Sequence, residues 1–330
     1  SQSKAITATA VMMLWEDGKF RLDDPISKYI PEFKNPIVLD SLLSDGTYLT
    51  TPAKNEITIR HLLTHTSGIG YGVIDGDERI KKIYDEAGIV DLFTTKKITI
   101  GENIKKLAKL PLHHNPGDAF TYSESYDVLG YFVEIISGVP FDIFLRKHIF
   151  DPLEMDDTWF YLPQAKAHRL VSVQTKKEDQ WINYPITFYN PQYPIKGEKQ
   201  FFSGGAGLSS TALDYAKFLQ MYLNNGELNG VRLLSRTTVK VILANHIGNL
   251  WDEDAGAHYG LAFMVQNQNG EDSGGSGSIG TFSWGGYFNT QYFADPKEQI
   301  IGIILKQTQN INSDQTGWKF PLLVEQSVDD

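Results

Sequence analysis

No cysteine occurs in the 330 residues. That excludes disulfides, cysteine nucleophiles and thiolate metal sites, and leaves the compartment open. Positive charge is also scarce: 30 Lys and Arg stand against 40 Asp and Glu, for a net charge of −10. The basic residues meet only in pairs such as Lys96-Lys97 and Lys176-Lys177. A nucleic-acid partner needs a concentrated basic face, and this chain offers none. No apolar run approaches the ~20 residues of a membrane helix, and no signal peptide precedes the first helical pattern. What is present, 41% hydrophobic and 21% charged residues, reads as one large globular unit or two interleaved subdomains.

Apolar residues at Ile6, Ala10, Met13 and Leu14 predict a helix over 1–15, stopped by Gly18. Further helices are expected over 57–65, 77–93, 102–110, 123–136, 140–149, 211–223 and 235–243. Residues 163–202 are rich in Pro, Tyr and Phe without clear period and read as a long, partly ordered excursion. Beyond 245 the pattern shortens to strand-like runs at 258–266, 280–283, 287–294 and 299–305, with a closing helix over 318–328. The Gly/Ser tract at 273–280 reads as a loop between strands rather than a domain linker. Residues 1–245 thus form a mostly helical region and 246–330 an antiparallel sheet with a final helix, both parts of one catalytic unit. So few strands beside so many helices suggest that one or two strands and a helix belong upstream of Ser1.

Three short patterns bear on chemistry. In Ser1-Gln2-Ser3-Lys4, positions i and i+3 share a helix face, so an amine can reach the weakly nucleophilic hydroxyl. Tyr122-Ser123-Glu124 sets a phenol at a helix start, where neighbouring cations can recruit it to proton transfer. Trp284-Gly285-Gly286 lets a strand approach a ligand closely and offer a backbone N–H. Each pattern alone has an ordinary structural explanation: a helix cap, a packed tyrosine, a glycine bulge.

Together they resemble the serine β-lactamase and DD-peptidase (penicillin-binding protein) superfamily, in its class C-like branch and closest to the family VIII carboxylesterases. Leu22-Asp23-Asp24-Pro25, the stretch Thr58 to Gly68, Tyr122 to Gly130, Gly204-Gly205-Ala206-Gly207-Leu208 and Phe282 to Gly286 follow in family order. The resemblance implies an α/β (α+β) β-lactamase/transpeptidase-like fold, with an antiparallel sheet flanked by helices and a mostly helical subdomain. It implies Ser1 as the nucleophile of an acyl-enzyme, with Lys4 and Tyr122 sharing the proton. The N–H groups of Ser1 and Tyr287 would form the oxyanion hole, and no cofactor or metal is implied.

Two departures steer the substrate. Trp284 stands where lactamases and peptidases often carry a cation for the substrate carboxylate, and Glu124 stands where Asn is frequent. With Trp284, Gly285, Gly286 and Glu124 taken as substrate-binding, small acyl esters are the expected substrates. A DD-peptidase, D-aminopeptidase or β-lactamase, an acyltransferase, and a non-catalytic penicillin-binding-like module are the alternatives. The partner is a small-molecule ester or amide, and a periplasmic or secreted location is a family-level lean. Should Ser1 be the true amino terminus, its α-amino group becomes a candidate base.

Other residues carry less. His61 and His65 have a metal-compatible spacing but no evident third ligand, so structural roles are expected. His113-His114 should lie at the surface or in a loop, and His258 should be packed. The aromatics Trp181, Tyr184, Phe188, Tyr189, Tyr193, Phe201 and Phe202 are either core or the walls of an acyl pocket. Asp252, Glu253 and Asp254 read as solvated turns.

Overall fold

The computed structural model describes residues 1–252, 255–274, 277–311 and 314–328. Glu253 and Asp254, and Gly275 and Ser276 of the Gly/Ser tract, lie outside the described residues. Helix α1 (Ser3–Glu16) runs through the middle of the molecule, with Ser3 through Met12 buried. A hairpin of β1 (Ile37–Leu42) and β2 (Tyr48–Pro52) follows, then α2 (Ile59–Leu63), α3 (Glu78–Glu86), α4 (Ile100–Leu107), α5 (Ser125–Ser137) and α6 (Phe141–Leu145), which continues as a wider turn over Arg146–Phe150. The excursion then carries β3 (Gln174–Lys177), β4 (Gln180–Asn183) and α7 (Tyr193–Lys196). After α8 (Ala212–Leu223), the short pair β5 (Glu227–Leu228) and β6 (Val231–Arg232) leads to α9 (Arg236–Leu243). The sheet region holds β7 (Ala257–Tyr259), β8 (Met264–Gln266), α10 (Gln268–Asp272), β9 (Phe282–Gly286), β10 (Thr290–Asp295), β11 (Ile300–Leu305) and α11 (Thr316–Glu325).

Local chemistry sets many of these ends. Thr58 and His61 form a reciprocal cap on α2, and Thr99 and Glu102 do the same on α4, satisfying N–H groups that a helix start leaves open. Ser235 and Thr211 cap α9 and α8 through their hydroxyls. Gly138 ends α5 in the left-handed conformation at φ 74°. The helix expected over 77–93 stops at Glu86, because the chain turns at Gly88 with φ 65°.

Strands β7 to β11 form one antiparallel sheet in the order β11-β10-β9-β8-β7. The single strand expected over 258–266 is a hairpin, broken where Ala262 takes φ 83°. The strand expected from Tyr287 begins at Thr290, and residues 287–289 make the turn that returns from β9 to β10. Helix α8 packs against β10 and β11, and α1 packs against α5. One hydrophobic cluster runs from Ala5 in α1 through Phe132 and Phe218 to Phe263, Phe282 and Tyr292, so helices and sheet share a core. This is the β-lactamase/transpeptidase-like arrangement of helices about an antiparallel sheet. Among the described residues no single helix is long and apolar enough to cross a membrane.

Candidate active site

Ser1 sits at the entrance to α1, where its carbonyl accepts the N–H of Lys4 at 3.2 Å. This first turn brings Lys4 Nζ to 3.2 Å from Ser1 Oγ. Lys4 is fully buried, at 0% exposure, so its polar head must be satisfied from within. It donates to the Gly205 carbonyl at 2.9 Å and to Tyr71 Oη at 3.1 Å. The Tyr122 ring lies over the same nitrogen, its centroid 4.7 Å away.

Tyr122 precedes α5 on a strongly pinned segment. Thr121 N–H donates to the His65 carbonyl at 2.8 Å, and Ser123 N–H lies 3.2 Å from His65 Nδ1. Burial, and then the charge of Lys4, holds the His65 imidazole well below its usual range, so it stays neutral and serves as a hydrogen-bonding post. Its ring packs on Tyr122 with centroids 4.4 Å apart. His61 Nδ1 accepts the Thr58 N–H, so both histidines of the i, i+4 pair have structural partners.

Strand β9 forms the opposite wall. Trp284 Nε1 donates to Tyr122 Oη at 3.0 Å, which ties the wall to the phenol. A Cβ added to Gly286 would stand 3.4 Å from Ser1 N and would collide with the Thr290 hydroxyl, so only glycine lets the strand approach this closely. Gln309 Nε2 donates to the Tyr287 carbonyl, and Thr308 N–H donates to the Phe288 carbonyl at 3.1 Å, which fixes the turn. No hydrogen bond from the Tyr287 N–H is made among the described residues. Two cavities, of about 350 and 710 Å³, both reach Ser1, Gly286 and Tyr287. The first is walled by Phe93, Tyr193, Leu208 and Phe288, and the second by Ile74, Leu92, Tyr122 and Trp284.

Ser1, Lys4, Tyr122, Trp284, Gly285, Gly286 and Tyr287 are therefore brought together. Glu124 is not. At 1% exposure it is buried, and it lines neither cavity. Burial, and then the neighbouring Asp91 and Asp127 charges, push its carboxyl well above the usual range. Its carboxyl lies behind the cleft rather than on its lining, in contrast to the substrate-binding position expected for it. His258 bonds the Leu243 carbonyl and is a packing residue. His113 pairs with Asp75 at 3.0 Å, and His114 bonds Thr121 Oγ1. Of the aromatics in the excursion, Tyr189 and Tyr193 pack on Phe93 beside the cleft, Phe201 joins the main core, and Trp181 is exposed.

The residue not anticipated is Tyr71, in Gly70-Tyr71-Gly72. Burial, and then the adjacent Tyr122 phenol, raise it well above the normal phenol range, so it remains a neutral acceptor for Lys4. Asp127 was likewise not anticipated. Its Oδ1 accepts from Ser203 Oγ at 2.7 Å and from Gly205 N–H at 2.8 Å, which anchors the segment whose Gly205 carbonyl holds Lys4. Burial raises its carboxyl to about 6.

A buried amine bonded to a serine hydroxyl, a phenol over the amine and a glycine-lined strand opposite thus meet in one cleft, an arrangement fit for a serine hydrolase. The chain belongs to the Beta-lactamase family, whose sequence model matches residues 1–325. It is 32% identical over 327 residues to an uncharacterized protein of Mycobacterium tuberculosis (strain CDC 1551 / Oshkosh), covering 93% of this chain and 76% of that one. It is 27% identical over 319 residues to esterase EstB of Burkholderia gladioli, again covering 93% and 76%. The structure aligns with EstCE1, a hydrolase with promiscuous acyltransferase activity, at a TM-score of 0.78 and 25% identity, covering 99% of this chain and 82% of that one.

Proposed function

We propose that this hydrolase is an esterase for carboxylic esters with small apolar acyl groups, acting through an acyl-enzyme on Ser1. Ser1 Oγ attacks the ester carbonyl carbon while its proton passes to the Lys4–Tyr122 pair. The tetrahedral oxyanion sits between the N–H groups of Ser1 and Tyr287. The C–O bond to the alcohol then breaks, and the alcohol leaves with the proton returned by the pair. Water, deprotonated by the same groups, attacks the acyl-Ser1 carbonyl, releasing the carboxylic acid and the free hydroxyl. Losing one oxyanion donor costs about 10²–10³ in rate at such sites.

The observation that carries this reading is the 3.2 Å contact between Ser1 Oγ and the buried Lys4 Nζ, beside apolar cavities. The choice of ester over penicillin or peptide rests on Trp284, which presents apolar area and a donor already engaged by Tyr122 where a carboxylate-holding cation would stand. Glu124 contributes nothing to that choice, being buried. Tyr193, Leu208 and Phe288 supply an apolar wall for the acyl group.

The test is turnover of p-nitrophenyl acetate and butyrate against nitrocefin, together with fluorophosphonate labelling. Ester turnover that Ser1→Ala abolishes along with the label supports the proposal. Rapid nitrocefin turnover with inert esters would overturn the choice of substrate. A label that survives Ser1→Ala would overturn the nucleophile. Adding a short alcohol as acceptor measures how far the acyl-enzyme partitions to transfer, the promiscuous activity of EstCE1.

A further inference from the structure

Glu124 is buried with neither side-chain oxygen bonded to a donor among the described residues. Its carboxyl lies within hydrogen-bonding reach of another carboxyl, that of Asp91. Two bare acceptors cannot rest together in a dry site; one must carry a proton. Both Asp91 oxygens are already engaged as acceptors, Oδ1 by Gly72 N–H at 2.9 Å and Oδ2 by Val73 N–H at 2.5 Å. The shared proton therefore belongs on Glu124.

The same pair grips one short segment from two sides. Glu124 N–H donates to the Gly70 carbonyl at 3.2 Å, and Asp91 holds residues 72 and 73. Between them lies Tyr71, whose own N–H donates to Asp75 Oδ2 at 2.7 Å and whose hydroxyl accepts from Lys4. We propose that Glu124 is a positioning residue that works as a neutral acid, its carboxyl proton bridging to Asp91 so that the pair fixes residues 70–73 and keeps Tyr71 against Lys4. This builds on the catalytic role proposed for Ser1 and Lys4.

The titratable groups that face Glu124 are Asp91 and Asp127, which oppose its ionisation, and Lys4, which favours it; Tyr71 and Tyr84 are the neighbouring phenols. Ionising Glu124 as the pH rises sets two like charges together and releases the Tyr71 segment. Activity then falls on an alkaline limb that belongs to Glu124. Glutamine at this position keeps a donor toward Asp91 and cannot ionise. Alanine removes the donor.

The experiment compares the wild type, Glu124→Gln and Glu124→Ala by kcat and KM across pH, and by infrared absorption of protonated carboxyl groups at neutral pH. Glu124→Gln is expected to retain most of kcat and to lose the alkaline limb. Glu124→Ala is expected to lose about ten- to a hundred-fold in kcat with little change in KM, the scale of a lost hydrogen bond to a charged group. The wild type should show a protonated-carboxyl band that both variants lack. An unchanged band, an alkaline limb that persists in Glu124→Gln, or equal losses in the two variants would overturn the proposal. The infrared result does not depend on turnover, so it stands apart from failure of the esterase assignment.

Discussion

Asp127→Asn provides a direct reading of what the buried site costs the fold. Asp127 sits on α5 at 1% exposure, and burial raises its carboxyl from 3.8 to about 6. Between those values the folded protein holds a proton that the unfolded chain has released. Stability therefore falls as pH rises through this window. A shift of that size corresponds to about 3 kcal/mol in full. Integrated from about pH 4.5 to about pH 7.5, it amounts to about 2 kcal/mol. Asparagine keeps an oxygen for Ser203 and Gly205 but cannot ionise. Urea titrations of wild type and variant at the two pH values isolate the term, because the other carboxylates contribute equally to both proteins. The wild type should lose about 2 kcal/mol more than the variant between the two conditions. For 330 residues that is about 3 °C in Tm. Curves that stay parallel across the range would show that Asp127 carries no such strain, and would refute the burial argument.

Two further substitutions probe the cleft itself. Trp284→Phe keeps an aromatic wall and removes the donor to Tyr122 Oη; kcat on p-nitrophenyl butyrate should fall about five- to ten-fold, the scale of one hydrogen bond, with fluorophosphonate labelling of Ser1 slowed to match. Tyr71→Phe leaves the buried Lys4 Nζ without one of its acceptors, and kcat should drop about ten-fold or more while circular dichroism stays that of the wild type; an unchanged kcat would remove Tyr71 from the site.

How much was legible follows from what each segment has to do. The helices over 1–15, 123–136, 211–223 and 235–243 were evident because apolar spacing and capping residues agree there. The hairpins β1–β2 and β3–β4 were not. Strands β3 and β4 are short and mostly exposed, and β1, though apolar at Ile37, Val38, Leu39 and Leu42, pairs with a register shift between Leu39 and Ser41, so no clean alternation marks either hairpin. Ser1, Lys4, Tyr122 and the Trp-Gly-Gly strand are legible, since each lies in a pattern with fixed spacing. Glu124 is expected in the substrate site because it holds the place in the second motif where Asn is frequent. Its actual surroundings depend on Asp91, which is distant in sequence and unmarked by any motif. Tyr71 has no periodic context either; its only local sign is a phenol between two glycines. Gly205 belonged to a noted glycine run, but its carbonyl's task was hidden because a backbone oxygen has no residue type to read. A Cβ there would fall 3.2 Å from Asp127 Oδ1 and 3.4 Å from Lys4 Nζ, so any larger residue would press on both partners.

The groups around Lys4 come from residues 1, 71, 122 and 205, and the facing wall from 284–287. No local fragment of the chain holds more than one of the groups around Lys4, and the facing wall is a separate stretch again. Contacts between such distant partners close large loops, and large loops close late. On refolding from denaturant, helical signal should return first and catalysis last. Recovered turnover then times the final docking of the sheet onto the central helix, a kinetic clock supplied by the way the pocket is assembled.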